Sequence, residues 1–223
     1  MTEGQGRARK VRKVRRRVGW TRDPQGVRRN ILDVARREFA RKGLAGARVD
    51  EIAALTSTSK RMIYYYFGDK QGLYVAVLEE AYQAIRQFEA ELQLASLPPV
   101  EAMERLVGAS FDYHADHPEF VRLVMVENIH DAQHLKKSAT IHDLNVTALA
   151  TLQAIYERGV AAGLFRKGLQ PLDLFLTLSA LTFYNVSNRA TIAQVLRHDM
   201  GEGEARAARR AAVIDAVLAM LRV

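Results

Sequence analysis

The 223-residue chain contains no cysteine. This excludes disulfides, iron–sulfur ligation and thiol nucleophiles, and it suits a reducing compartment such as the cytoplasm. No apolar run reaches the roughly 20 residues of a membrane-spanning helix; the stretch 172–181 is too short and contains Asp173. Alternating segments of the kind that make strands are also missing. Prolines number five, and Pro24, Pro98, Pro99, Pro118 and Pro171 each precede a helical pattern of apolar residues, where a helix start tolerates them. There is no Walker A sequence, no nucleophile elbow and no carboxylate pair in a known catalytic motif. Gly4 with Gly6 and Gly201 with Gly203 lack the third glycine and the strand of a dinucleotide loop. An enzyme is the weaker class, and the sequence implies no cofactor, no metal and no membrane partner.

What is present begins with 48% hydrophobic composition, enough to bury a sizeable core. The net charge of +8 is unevenly placed, because residues 1–22 hold nine Lys or Arg against Glu3 alone. That arm is itself +8, and the remainder sums to zero. Such an arm is expected to be disordered when free and to lie along phosphates or in a minor groove when DNA is near. The bland alternative is a solvated tail.

The pattern beyond the arm is all-α. Expected helices run from Pro24 to Lys42, stopped by Gly43, then through 50–55, 60–67 and a long one from Asp69–Lys70 to Leu92. Further helices are expected over 99–116, 118–129, 138–162, 172–186 and 202–221, with a short one near 191–197. Asp50 is the expected cap of the second helix and Ser59 of the third. In the third, Lys60, Arg61, Tyr64 and Tyr65 project outward while Ile63 or Met62 and Phe67 anchor inward. Cations and hydroxyls suit phosphates, and the forked Arg61 suits a guanine edge.

Val49-Asp50-Glu51-Ile52-Ala53, Ser59-Lys60, Ile63-Tyr64-Tyr65-Tyr66-Phe67 and Lys70 resemble the TetR family of bacterial repressors, over residues 27–78. Three positions depart from its usual pattern: Ser57 replaces a common turn glycine, Arg61 a small residue, and Tyr66 a frequent histidine. The resemblance implies a three-helix helix-turn-helix DNA-binding domain (23–70) after the basic arm (1–22). A larger helical domain (71–223) for effector binding and dimerisation follows, giving nine or ten helices in all. It also implies that Arg48, Ser59, Tyr64, Tyr65 and Lys70 touch phosphates, that Lys60, Arg61 and Met62 face bases, and that Tyr66 does either.

The expected function is a homodimeric, sequence-specific regulator, a repressor released from a palindromic DNA operator by an unknown small molecule. The competing reading is an architectural or nonspecific nucleic-acid binder driven by the arm. The expected dimer interface is the last two long helices: 172–186 is apolar on every face, and 202–221 carries a stripe of Ala207, Ala208, Ala211 and Ala212 continuing to Ile214, Val217, Leu218 and Leu221. Candidate ligand residues are Phe111, Met125, Asn128, His142, Asn145, Phe183 and Asn188, polar groups interleaved with apolar ones. His130 and His134 stand four apart with His142 nearby, a spacing that would share one helix face, but no motif completes a metal site.

Overall fold

The computed structural model describes residues 23–223, and the basic arm lies outside them. Ten α-helices make up the described chain: α1 (Pro24–Gly46), α2 (Val49–Leu55), α3 (Lys60–Phe67), α4 (Lys70–Glu91), α5 (Pro99–Asp116), α6 (Pro118–Ile129), α7 (Ala139–Ala161), α8 (Pro171–Ser187), α9 (Arg189–Val195) and α10 (Gly203–Leu221). Short 3₁₀ turns at Leu94–Ser96 and Leu135–Lys137 and one isolated bridge between Phe165 and Arg222 complete it.

Local chemistry sets most boundaries. Pro24, Pro99, Pro118 and Pro171 open α1, α5, α6 and α8, where the missing N–H costs nothing. Side-chain oxygens of Asp23, Ser59, Asp69 and Ser138 accept from the free amides of Gly26, Met62, Gly72 and Ile141, at 2.7–3.2 Å. Gly43 breaks α1 as expected, adopting φ 66° and ψ 175° before a last turn that ends at Gly46.

Asp50 is not a cap. Arg48 occupies that position without a side-chain bond, because Val49 is itself buried and helical, and Asp50 falls within the first turn.

Two apolar clusters hold the molecule. The first joins α1–α4 to α6 through Ile31, Phe39, Ile52, Ile63, Leu73, Tyr74 and Val77, all fully buried, together with Val121 and Leu123. The second joins α5, α7, α8 and α10 through Met103, Val107, Leu152, Leu174, Val217 and Leu221. The expected stripe of the last helix therefore divides: Ile214, Val217, Leu218 and Leu221 face the chain's own core, while Ala207, Ala208, Ala211 and Ala212 remain outside. On α8, Leu172, Leu176, Ala180 and Tyr184 recur every fourth residue as an exposed row, three of them more than half exposed.

Candidate functional site

The third helix presents its chemistry because one residue pins it. Ile63 is fully buried, Met62, Tyr66 and Phe67 are half-buried, and Lys60, Arg61, Tyr64 and Tyr65 are exposed, Tyr65 at 77%. Tyr66 is the inward member of the tyrosine run: its ring packs edge-on to Tyr65 at 5.3 Å and tilted against Phe67 at 6.1 Å. Arg28 of α1 covers the other aromatic anchor, 5.3 Å from the Phe67 ring.

Lys60 is not idle in the free protein. Its ammonium lies 2.8 Å from Asp50, and this hydrogen-bonded pair raises the Lys60 pKa and lowers that of Asp50. Lys70 Nζ donates to the Ala45 carbonyl at 3.3 Å, tying the start of α4 to the end of α1. Arg48 and Arg61 are exposed. Between α2 and α3 the chain turns through Ser57 at φ 53°, the left-handed region that favours glycine.

The expected ligand residues fall into different places. Asn128, Asn145 and Phe183 border a cavity of about 430 Å³ between α4, α5, α6, α7 and α8, with Tyr82, Arg86, His114, Phe120 and Phe175. Phe111 and Met125 border a separate cleft of about 490 Å³ that opens beside Arg122, Arg189 and Arg206. His142 is exposed and Asn188 bonds Ser187; neither borders either space. The amides of Asn128 and Asn145 donate to carbonyls one turn back on their own helices, at 2.9 and 2.8 Å.

Arg86 and His114 are the polar groups that sequence reasoning missed. Both also border an annex of about 50 Å³ at the inner end of the first cavity, with Glu89, Ser110 and Ser179. Arg86 Nη1 donates to Glu89 at 2.5 Å, while its buried Nε has no partner. Burial raises the Glu89 pKa against the pull of Arg86. His114 is 7% exposed and stacks parallel to Phe120 at 6.0 Å, with Phe183 edge-on at 5.6 Å. Desolvation lowers its pKa to about 4 against an opposing hydrogen bond to the Thr182 backbone. Its Nδ1 is buried and unpaired.

His134 belongs to a different structure. Residues 130–134 form turns with positive φ at Asp131 and Ala132, so His130 and His134 do not share a helix face. Instead the fully buried Glu127 accepts from His134 Nδ1 at 2.9 Å, from the His134 amide at 3.1 Å and from the Leu135 amide at 3.3 Å. The His134 ring meets Tyr74 edge-on at 5.1 Å, and Tyr74 meets Phe39 edge-on at 5.0 Å. Burial, then the neighbouring Glu127 carboxylate, raise the Tyr74 pKa well above the usual tyrosine range. Among the described residues no group of three His, Asp or Glu side chains is placed to hold a metal ion.

A capped helix with outward cations, set by a tight turn across a buried partner helix, defines a helix-turn-helix DNA-binding protein. The family model for bacterial regulatory proteins of the tetR family matches residues 31–77, and that for the Tetracyclin repressor-like C-terminal domain matches 99–217. The HTH-type transcriptional repressor NicS of Pseudomonas putida is 37% identical over 196 residues, 88% of this chain and 92% of that protein. The HTH-type transcriptional repressor SCO4008 of Streptomyces coelicolor is 33% identical, over 82% of this chain and 88% of its own. Among solved structures, transcriptional regulator SCO4942 of Streptomyces coelicolor has a TM-score of 0.67 at 29% identity, covering 87% of this chain and 98% of that one. FadR from Bacillus subtilis, in complex with stearoyl-CoA, has a TM-score of 0.69 at 17% identity, over 86% and 98%, a likeness of fold.

The chain belongs to the TetR family, and it is a DNA-binding transcriptional regulator.

Proposed function

We propose that the protein is a cytoplasmic homodimeric repressor that leaves its operator when a small molecule fills the cavity beside α4. Residues 23–70 read DNA and 71–223 bind effector and pair the protomers. The observation that carries the reading is α3 itself, anchored by Ile63 and displaying Lys60, Arg61, Tyr64 and Tyr65 on one outward face. Two such helices related by a two-fold axis would enter successive major grooves of a palindrome, with half-sites about 34 Å apart. Arg48, Ser59, Tyr64, Tyr65 and Lys70 are assigned to phosphates, and Lys60, Arg61 and Met62 to base edges. Tyr66, half-turned into the core, is left a supporting part. The exposed row on α8 and the alanines of α10 are assigned to the partner protomer; small residues there allow close helix approach.

Binding-site selection with the full-length protein and Arg61→Ala tests the central assignment. Loss of a bidentate guanine contact is expected to cost roughly 1–3 kcal/mol at one base position and to relax preference there alone. An unchanged selected sequence would remove Arg61 from base reading.

A further inference from the structure

We infer that the cavity takes a small aromatic carboxylate, its two oxygens seated on the Nε–Nη2 edge of Arg86 and a polar ring substituent meeting Nδ1 of His114. The inference rests on the effector reading of this cavity.

Glu89 engages one end of the guanidinium, through Nη1. Nε is buried without a partner, and among the described residues Arg86 makes no other hydrogen bond. An unmade bond at a buried donor is unfavourable, and the side chain that carries it borders a space large enough for a ligand. The Nε–Nη2 edge offers two parallel N–H groups, which a carboxylate accepts together and the single oxygen of an amide does not. Charge agrees, because Glu89 is the one acid bordering the cavity or its annex. Burial already favours the neutral form of Glu89, so an arriving carboxylate can replace it as counter-charge to Arg86.

The walls select for a flat ring. Tyr82, Phe120, Phe175 and Phe183 surround the main space, whose volume lies within the range of small-ligand sites. Burial keeps the His114 ring neutral against the pull of the Thr182 backbone, and its unpaired Nδ1 is an acceptor for a ligand O–H or N–H.

Titration calorimetry on the full-length protein with benzoate, benzamide, cyclohexanecarboxylate and the three hydroxybenzoates tests this directly. Benzoate is expected to bind at least about tenfold tighter than benzamide and cyclohexanecarboxylate. At least one hydroxybenzoate should bind tighter still, and His114→Gln should remove that extra gain. Arg86→Lys keeps charge and stem but loses the fork, and should abolish the preference for benzoate over benzamide. The comparison of acid with amide needs no variant, so a folding defect does not obscure it. Equal affinity for benzoate and benzamide overturns the carboxylate, and equal affinity for cyclohexanecarboxylate overturns the aromatic ring. Operator release by an uncharged compound, with no heat from any aromatic acid, overturns the inference and leaves the effector reading standing. Binding of an acid without release in a mobility-shift assay sustains the ligand class and refutes the effector role.

Discussion

Acidification should weaken the larger helical domain through one residue, His114. Its folded pKa of about 4 lies below the ordinary 6.5, chiefly because burial disfavours the imidazolium, with Arg86 and His117 adding repulsion. Between these two values the unfolded chain binds a proton that the folded chain does not, so stability falls as pH drops from 6.5 toward 4. Above 6.5 both forms are neutral and the residue contributes no slope. A difference from 6.5 to about 4 corresponds to about 3 kcal/mol, a large part of the 5–15 kcal/mol of a typical domain. Glu80 and Glu89, whose pKa values burial raises, act in the opposite sense and gain stability as pH falls. The informative quantity is therefore the difference between the wild type and His114→Gln, which keeps an amide donor for Thr182 and does not titrate. Urea unfolding at fixed protomer concentration, followed from pH 7 to pH 4, should show that difference shrinking by about 3 kcal/mol. Parallel curves for the two proteins would refute burial of a neutral imidazole at this position.

Three other outcomes follow from the geometry. Asp50→Asn frees Lys60 from its ion pair and should tighten binding to the selected operator more than to an unrelated duplex; equal tightening on both, measured by fluorescence anisotropy, would show that Lys60 does not read a base edge. Ser57→Gly relieves a left-handed backbone at φ 53° and should raise stability by about 0.5–1 kcal/mol, offset in part by glycine's entropy when unfolded, and a lowered Tm would contradict this. Glu127→Ala strands the His134 imidazole and two amides in a buried site and should cost about 3 kcal/mol or more in thermal or urea unfolding, with Glu127→Gln milder; a loss under about 1 kcal/mol would mean that water replaces the carboxylate.

The sequence showed its helices where covalent rules act locally. Prolines at the first helical positions, Ser59, Asp69 and Ser138 as caps, and the break at Gly43 are legible because each depends on the residue's own backbone. Asp50 misled because buried Val49 carried the helix one residue further back than a polar cap would set it. The alanine-to-leucine stripe of α10 merged two faces, since small and large apolar residues at similar spacing look alike until α5 claims the larger ones. Arg86 and His114 were hidden for a different reason. An arginine one step off the stripe of α4 reads as surface, and only packing of α5 and α8 over it turns it into a cavity group. Its spacing from Tyr82, one turn earlier on the same face, was the available signal. Glu127 and His134 meet across two left-handed residues, a relation that no helical periodicity reports.

The same helix serves the head and the cavity, and this limits how a ligand can act. Tyr82, Ile85 and Arg86 of α4 border the cavity, while Leu73, Tyr74 and Val77, two turns or so earlier, are fully buried against the reading head. Eight residues of helix from Tyr74 to Tyr82 span about 12 Å. At the head end of this short rod the Tyr74 ring is wedged between Phe39 of α1 and His134 of the Glu127 clasp. A close-packed junction of this kind accommodates discrete arrangements better than graded ones. Ser138 strengthens the tie, since its hydroxyl caps α7 and also donates to Glu79 of α4 at 2.6 Å. A ligand that fits the cavity equally well in both arrangements would bind and still leave the operator occupied, because only a difference in affinity shifts the populations. On the proposed effector reading, discrimination arises where a shift of α4 against α5 changes the site, at Tyr82, Ile85 and Arg86 on the one side and His114 on the other.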